Sequence, residues 1–272
     1  MKLSFSTLGC PEYDVDQVIE IANQCGYDGV EIRMVKGTSA LHTLEEFGPK
    51  GIEVTREKFN RHGLEVVCIS TGVRFTSLDP EEFKEQQEMT KLNVDIAAGL
   101  GASYIRIFGG PLPEDQDREE TFKRIREGLA YAAQVGESRG VQVLLETHDS
   151  FSTSRQICEL LEDVKIDNLG ILWDVLHPYR HGETFAETFK ALGPWIRHVH
   201  VKDSANFSED GFDLTLVGEG SLPIGEAVEL LQSGGYQGYL SLEWEKAWHP
   251  EIEDAEVAFP HYVNVMKEYL AR

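Results

Sequence analysis

The sequence contains few basic residues for its length. Its 25 lysines and arginines stand against 47 acidic residues, which gives a formal net charge of −22. A protein that binds nucleic acid usually needs a basic face to neutralise phosphates, and this chain has little from which to build one. The charge balance therefore argues against a nucleic-acid partner.

Long apolar runs and closely spaced cysteines are also absent from the sequence. No run approaches the roughly 18 apolar residues of a membrane span, and the first ten residues lack the apolar centre of a signal peptide. The four cysteines (Cys10, Cys25, Cys68 and Cys158) form no C-x-x-C pair, a pattern typical of reduced thiols rather than of disulfides or a zinc knuckle. We therefore expect a soluble, cytoplasmic protein with no membrane partner.

No proline- or serine-rich linker divides the 272 residues, of which 41% are hydrophobic. That content is enough for one large core, so we predict a single domain over residues 1–272.

Eight short apolar runs recur along the chain, and most are followed by a segment of helical period. The runs cover residues 3–7, 29–33, 64–70, 104–108, 141–147, 169–174, 196–202 and 239–243. The helical segments cover residues 14–25, 55–62, 80–100, 119–139, 154–161, 184–192, 224–233 and 260–270. Apolar runs separated by helices indicate parallel strands buried on both faces, and eight such units close naturally into a (β/α)8 TIM barrel. An open doubly wound sheet is the alternative, but residues 8–11 (LGCP) do not begin its G-x-G-x-x-G fingerprint.

Four consecutive runs carry a metal-ligand type of residue near their carboxyl end: Glu146, Asp174, His200 and Glu243. In a barrel these ends meet at one rim, where function gathers. Each residue alone could form an ion pair or cap a helix. Four ion pairs would need four cations, however, and Lys202 is the only basic residue within these strand ends. One divalent ion would satisfy all four, and three carboxylates with one imidazole suit Mn²⁺, Mg²⁺, Co²⁺ or Zn²⁺ without ranking them.

The motifs LLETH, WDVLHP, HVHVKD, VGEG and SLEWE resemble those of the xylose isomerase-like sugar isomerase/epimerase superfamily, and the resemblance covers essentially the whole chain. It implies a metal held by Glu146, Asp174, His200 and Glu243, with His198 in a supporting position. It also implies that Glu146 and Glu243 act as base and acid on a substrate whose enediolate the metal stabilises. Dimers are common in this superfamily, so we expect a homodimer.

Four further residues are candidates for contacting the substrate. The resemblance implies that His177 touches a substrate hydroxyl, although it could instead cap its own turn. Arg106 faces the barrel interior and could bind substrate or pair with Glu146. Lys202 and, on the second apolar run, Glu31 are candidates for the same inward polar layer. Trp248 lies in an aromatic segment that could stack on a sugar ring.

The sequence departs from two branches of the superfamily. Ketose 3-epimerases carry an arginine six residues beyond the metal histidine, where this chain has Asn206. Endonuclease IV relatives use three zinc ions and several histidines that this chain lacks. The first difference argues against that particular epimerase activity, and the second argues against a nuclease.

We therefore predict a metal-dependent isomerase or epimerase of a sugar, cyclitol or related polyhydroxy ketone. The alternatives are a dehydratase of an inosose or dehydroshikimate-like substrate and, less favoured, a barrel that binds a sugar without turnover or an endonuclease IV-like nuclease. Residues 204–222 are predicted to form a loop rich in glycine and aspartate, in which Gly218-Glu219-Gly220 forms a tight turn. Trp173 is predicted to face away from the barrel interior and pack under a helix.

Overall fold

The computed structural model describes residues 1–162 and 164–271, and within them eight parallel strands close into a barrel. The strands of the described residues are β1 (Lys2–Ser6), β2 (Gly29–Ile32), β3 (Glu65–Ser70), β4 (Tyr104–Ile107), β5 (Gln142–Glu146), β6 (Leu169–Asp174), β7 (Ile196–Val201), β8 (Asp203–Phe207), β9 (Phe212–Thr215) and β10 (Tyr239–Leu242). The barrel order is β1-β10-β7-β6-β5-β4-β3-β2, and β1 closes the circle by pairing with β10. The predicted single-domain (β/α)8 barrel is confirmed.

Helices follow most barrel strands and form the outer layer. They are α1 (Val15–Cys25), α2 (Ile52–Arg61), α3 (Pro80–Leu100), α4 (Arg118–Glu137), α5 (Ser154–Leu160), α6 (Leu176–Arg180), α7 (Phe185–Leu192), α8 (Ile224–Ser233) and α9 (Ala255–Leu270). None of these helices combines the length and the hydropathy that a membrane span requires.

The core lies between the barrel and this outer layer, because alternate strand residues point outward under the helices. Trp173 shows the pattern: it is fully buried and packs edge-on against Phe185 of α7, with ring centroids 5.7 Å apart. The prediction that Trp173 faces away from the barrel interior is confirmed. Its neighbour Asp174 consequently points inward.

A two-stranded antiparallel hairpin of β8 and β9 follows β7 directly. The sequence predicted only a loop rich in glycine and aspartate at residues 204–222, and that prediction is wrong for the hairpin. The two strands are short, and only β9 (FDLT) alternates apolar and polar residues, so the local strand signal is weak. The pairing therefore depends on the barrel end from which the hairpin emerges.

Candidate metal centre

The four predicted ligands converge at the carboxyl end of the barrel. Glu146 and Asp174 end β5 and β6, His200 lies in β7, and Glu243 directly follows β10. Each offers one ligand atom, and these four atoms all lie within 4.8 Å of one another. Glu243 is 6% exposed and the other three are 0% exposed. The parallel register of the strands thus gathers side chains that are far apart in sequence.

The two ring nitrogens of His200 face different carboxylates. Nδ1 lies 3.1 Å from Glu146 Oε1 and 3.2 Å from Glu243 Oε1. Nε2 lies 2.9 Å from Glu31 Oε2 and donates to that carboxylate. Burial lowers the pKa of His200, but Glu243, Glu31 and Glu146 together raise it well above its usual range. In the metal-free protein His200 is therefore an imidazolium, whose Nδ1 proton a metal would replace.

Glu31 is a member of this site that the sequence indicated only as an inward polar residue. Its Oε2 accepts from His198 Nε2 at 2.7 Å, and its Oε1 accepts from Ser70 Oγ at 2.7 Å. Burial raises the pKa of Glu31, but His200 and His198 more than offset this effect, so the pKa lies well below its usual range. Glu31 stays ionised and holds a proton on Nε2 of His200, which leaves Nδ1 as the nitrogen available to a metal. His198 supports Glu31 and does not reach the four-ligand group.

Lys202 lies among three carboxylates at the same level. Its Nζ is 2.9 Å from Asp174 Oδ2, 2.7 Å from Glu243 Oε2 and 2.7 Å from Glu245 Oε1. These neighbours outweigh burial and hold the pKa of Lys202 well above its usual range. Burial nonetheless raises the pKa of Asp174 to about 6. Lys202 lowers this pKa, but it also pairs with Glu243 and Glu245, and the negative charges of Glu243 and Glu146 raise the pKa further.

Arg106 pairs with the other side of the centre. Its Nε lies 3.1 Å from Glu146 Oε2, and its guanidinium stacks on Phe108 at 3.8 Å from the ring centroid. Burial raises the pKa of Glu146, but Arg106 and His200 outweigh it, so the pKa falls below its usual value. Arg106 therefore makes the ion pair with Glu146 that the sequence left as one of two alternatives.

The residues present fit a single divalent ion. Glu146 Oε2 and Asp174 Oδ2 are buried and accept no hydrogen bond of suitable geometry from the described residues, although Arg106 Nε lies 3.1 Å from the first and Lys202 Nζ lies 2.9 Å from the second. Burying three carboxylates with ligand atoms within 4.8 Å of one another is costly, and a divalent ion would add positive charge to that of these two neighbours. Three carboxylates and one imidazole are donors that suit the divalent ions predicted from the sequence. The geometry is thus compatible with one metal ion and does not select its identity.

The hairpin of β8 and β9 covers this centre. The centroid of the Phe212 ring lies 5.9 Å from the centroid of the His177 ring and 5.5 Å from Lys202 Nζ. Arg180 Nη1 donates to the carbonyl oxygens of Ser208 (3.2 Å) and of the next residue. The short helix α6, which the sequence analysis did not predict, therefore ties the hairpin down beside the site.

The remaining two substrate candidates differ in position. His177 in α6 is buried, and burial together with Lys202 lowers its pKa well below the usual range, so the ring is neutral. Trp248 is 56% exposed and lies outside the buried group.

Comparison with known proteins places these features in a family. The family model described as "Xylose isomerase-like TIM barrel" matches residues 19–268. The chain is 24% identical to fructoselysine 3-epimerase of Shigella flexneri, covering 89% of this chain and 90% of that protein. It is 25% identical to inosose isomerase of Bacillus velezensis, covering 89% and 88%. It is 30% identical to 3-dehydroshikimate dehydratase of Bacillus anthracis over 197 residues, covering 68% and 65%.

Solved structures share the whole fold. The IOLI protein with a bound zinc atom superposes with a TM-score of 0.84 at 21% identity, covering 100% of this chain and 98% of that one. A D-tagatose 3-epimerase-like protein gives a TM-score of 0.81 at 22% identity, covering 100% and 97%. With the family model spanning nearly all of the sequence, the chain belongs to the xylose isomerase-like TIM barrel family.

Proposed function

We propose that this protein is a divalent-metal-dependent isomerase or epimerase of a sugar, cyclitol or related polyhydroxy ketone. One observation carries the proposal: four strand ends deliver Glu146, Asp174, His200 and Glu243 to within 4.8 Å at a buried point of the catalytic rim of the barrel. The names of the relatives, which include a 3-epimerase and an inosose isomerase, support the same reaction type.

These four residues would hold the metal, which when bound acts as a Lewis acid toward the oxygen atoms of the substrate. Zinc is the ion in the related IOLI structure. The ligand types of this chain are also compatible with Mn²⁺, Mg²⁺ and Co²⁺ and do not select one of these ions.

Glu146 and Glu243 would move the proton. Burial raises the pKa of Glu243, but His200 and Lys202 hold it well below its usual range, and Glu146 is also ionised. Each glutamate turns Oε1 toward His200 Nδ1 and Oε2 toward a cation, which is Arg106 for Glu146 and Lys202 for Glu243. Because both carboxylates are ionised, one can take a proton from the carbon beside a carbonyl, and the other can return one.

The substrate would be held by His177, Arg106, Lys202 and Trp248. His177 Nδ1 accepts from Arg180 Nε at 3.3 Å, so Nε2 of the neutral ring carries the hydrogen and can donate to a substrate oxygen. Lys202 and Arg106 can also donate to substrate oxygens. Asn206 is exposed in the hairpin and cannot replace the long cationic side chain that ketose 3-epimerases have there. We therefore expect a different substrate contact at the far hydroxyls.

Solvent-deuterium exchange tests the function directly. The metal-supplemented protein is incubated in D₂O with ketoses, inososes and 3-dehydroshikimate, and products are identified by NMR and mass spectrometry. We expect deuterium at a carbon beside the carbonyl, and loss of that exchange in Glu146→Gln and Glu243→Gln. Glu251→Gln, an exposed glutamate after β10, is the matched control. Full turnover by either active-site variant on a confirmed substrate would refute the mechanism.

Elemental analysis addresses the metal separately. About one equivalent of a divalent metal in the wild type, absent from His200→Ala, is the expected result. Because Mg²⁺ binds weakly and can be lost on purification, metal is added back before a negative result is accepted.

A dehydratase is the second candidate, favoured by the 30% identity to 3-dehydroshikimate dehydratase. After the α-proton has been removed, the resulting enediolate can expel a neighbouring β-hydroxyl as water instead of being reprotonated. Product mass distinguishes the two reactions, since dehydration removes one water and isomerisation leaves the mass of the substrate unchanged. A protein that binds metal and sugar without either product would instead be a sugar-binding barrel.

A further inference from the structure

Two arginines lie at the same level on the carboxyl rim of the barrel, one directly after β2 and the other in β4, the two strands that flank β3. In the register, Ile32 of β2 is opposite Ile69 of β3, and the next β3 residue, Ser70, is opposite Arg106 of β4. Arg33 directly follows Ile32, so it lies level with Arg106. It also lies two residues beyond the inward-facing Glu31, and alternation along the strand directs both side chains to the same side.

The guanidinium of Arg33 reaches across the end of β3. Its Nη2 is 3.8 Å from the position that a Cβ atom would take at Gly72, in the segment that follows β3. Because β3 lies between β2 and β4, this contact directs the guanidinium toward the side where Arg106 lies.

Neither arginine has its hydrogen-bonding capacity filled. Arg106 is 2% exposed, yet its Nε and Nη1 donate no hydrogen bond to any described residue. Its ion pair with Glu146 engages the Nε side, which leaves Nη1 free. The side chain of Arg33 is half-buried and, among the described residues, forms neither a hydrogen bond nor an ion pair.

The charges around Arg33 also leave the positive charge of its guanidinium incompletely balanced. Burial and the nearby charge of Arg106 lower the pKa of Arg33 to about 10, against the opposing effect of Glu243, Glu146 and Glu31. The guanidinium remains charged at neutral pH, and no carboxylate of the described residues lies within ion-pair distance of it. An arginine fork is well suited to a carboxylate or a phosphate, which accepts two parallel hydrogen bonds.

We propose that Arg33 and Arg106 form a subsite for an anionic group of the substrate, a carboxylate or a phosphate, beside the metal centre. The inference rests on the proposed function, because it takes the ligand of this rim to be the substrate. It narrows the proposed substrates to those sugars, cyclitols or related polyhydroxy ketones that also carry a carboxylate or phosphate group. The carboxylates of the described residues do not fill this role: Glu146 meets Arg106 at Nε, and none of them forms an ion pair with Arg33.

Binding of small probes to the metal-loaded protein tests the subsite. Dissociation constants of D-glycerate, glycerol 3-phosphate and neutral glycerol are measured by calorimetry or saturation-transfer NMR for the wild type and Arg33→Gln. We expect the variant to bind the preferred anion at least about tenfold more weakly, since a charge-assisted hydrogen bond is lost, and to bind glycerol unchanged. The probe that binds the wild type more tightly identifies the acid group as carboxylate or phosphate.

Two controls separate this role from general effects. Arg74→Gln removes the same charge from an exposed arginine on the same rim and should leave anion binding within about twofold. Arg33→Lys keeps the charge but loses the fork, so its affinity should be intermediate. Thermal melting and metal content of each variant show that the fold and the centre are intact.

The subsite is overturned if Arg33→Gln binds both anions as tightly as the wild type does, which would mean that they bind the metal instead. It is also overturned if the wild type prefers neither anion to glycerol, or if Arg74→Gln is equally impaired. Failure of the deuterium-exchange assay on every substrate, with anion binding still dependent on Arg33, would refute the proposed reaction and leave the subsite standing.

Discussion

Each nitrogen of His200 has its own partner group, and this division determines how the histidine can bind a metal. Nε2 donates to Glu31, whereas Nδ1 faces Glu146 and Glu243. His198 and His200 are two residues apart in β7 and therefore share a face of the strand, and the family resemblance singled out the second as the ligand. Glu31, however, comes from β2 across the barrel, and no local pattern in the sequence links it to β7.

We predict that Glu31→Gln weakens metal binding by about 10- to 100-fold, the range typical of a lost supporting carboxylate. The amide no longer holds the Nε2 proton through a charged acceptor, so the favoured tautomer and ring orientation are lost. Titration calorimetry with Mn²⁺ or Zn²⁺ measures the effect. Glu65→Gln, an exposed glutamate of β3 that pairs with Lys2, serves as the control. An affinity within twofold of the wild type would show that Glu31 does not position His200.

Metal affinity should rise with pH. His200 is protonated in the metal-free protein, because three carboxylates hold its pKa well above the usual range, so binding must release that proton. The metal-free state therefore binds more protons than the loaded state, and acid weakens binding by about tenfold per pH unit for one proton. Below about pH 6, the raised pKa of Asp174 adds a second proton and steepens the dependence.

Dissociation constants measured between pH 5 and 8, roughly the range in which these groups matter, check this slope. Calorimetry in buffers of different ionisation enthalpy counts the released protons independently. A pH-independent affinity across the range would mean that His200 is neutral before the metal binds.

At the scale of elements, the hairpin after β7 is organised by one buried carboxylate. Asp203 Oδ2 accepts from the amides of Gly218 (2.9 Å) and Gly220 (3.1 Å), and Oδ1 accepts from Leu222 (3.1 Å). A Cβ at Gly220 would stand 2.1 Å from Asp203 Oδ1, so only glycine fits there. The tight turn that the sequence indicated at 218–220 thus binds an anion from its own chain.

We predict that Asp203→Asn lowers the free energy of unfolding by at least about 2 kcal/mol, since buried amide donors lose a charged acceptor. Urea denaturation measures the loss, and limited proteolysis should cut residues 204–222 faster than in the wild type. Asp213→Asn, exposed in β9 of the same hairpin, should change neither. If Asp203→Asn resists both treatments like the wild type, the carboxylate does not anchor the segment.

The elements that the sequence predicted well are those with a strong local signal. β6 and α3 have the predicted bounds, because a continuous apolar run and a long helical segment with a capping residue are both recognisable from the local sequence. α9 was predicted to begin at Pro260, the position that proline favours in a first turn, but it begins at Ala255 and carries Pro260 inside. Packing of Ala258 and Phe259 into the core supports the earlier turn, which local propensity cannot reveal.

For the whole molecule, the barrel and the four ligands could be predicted because each strand repeats the same signal. A buried run that ends in a ligand residue needs only the closure of parallel strands to become a site. The cross-barrel partners could not be predicted in the same way. The contacts of Glu31 with His198 and His200 depend on distances across the closed circle. The contacts of Arg33 and Phe212 depend on how segments outside the barrel strands lie on the rim. Sequence spacing encodes neither.

Closure also makes the metal a link between strands, since its candidate ligands come from β5, β6, β7 and the end of β10. We predict that saturating metal stabilises the folded protein by about 2.7 kcal/mol at a free concentration one hundred times the Kd, and that a chelator lowers the melting temperature by several degrees. The physical reason is that the four ligands come together only in the folded barrel, so the unfolded chain competes poorly for the ion.

Thermal melts with and without chelator test this in the wild type and in His200→Ala. Nonspecific binding to a chain of net charge −22 would act on both proteins alike, so a metal-dependent shift that survives in His200→Ala would place the stabilising ion elsewhere.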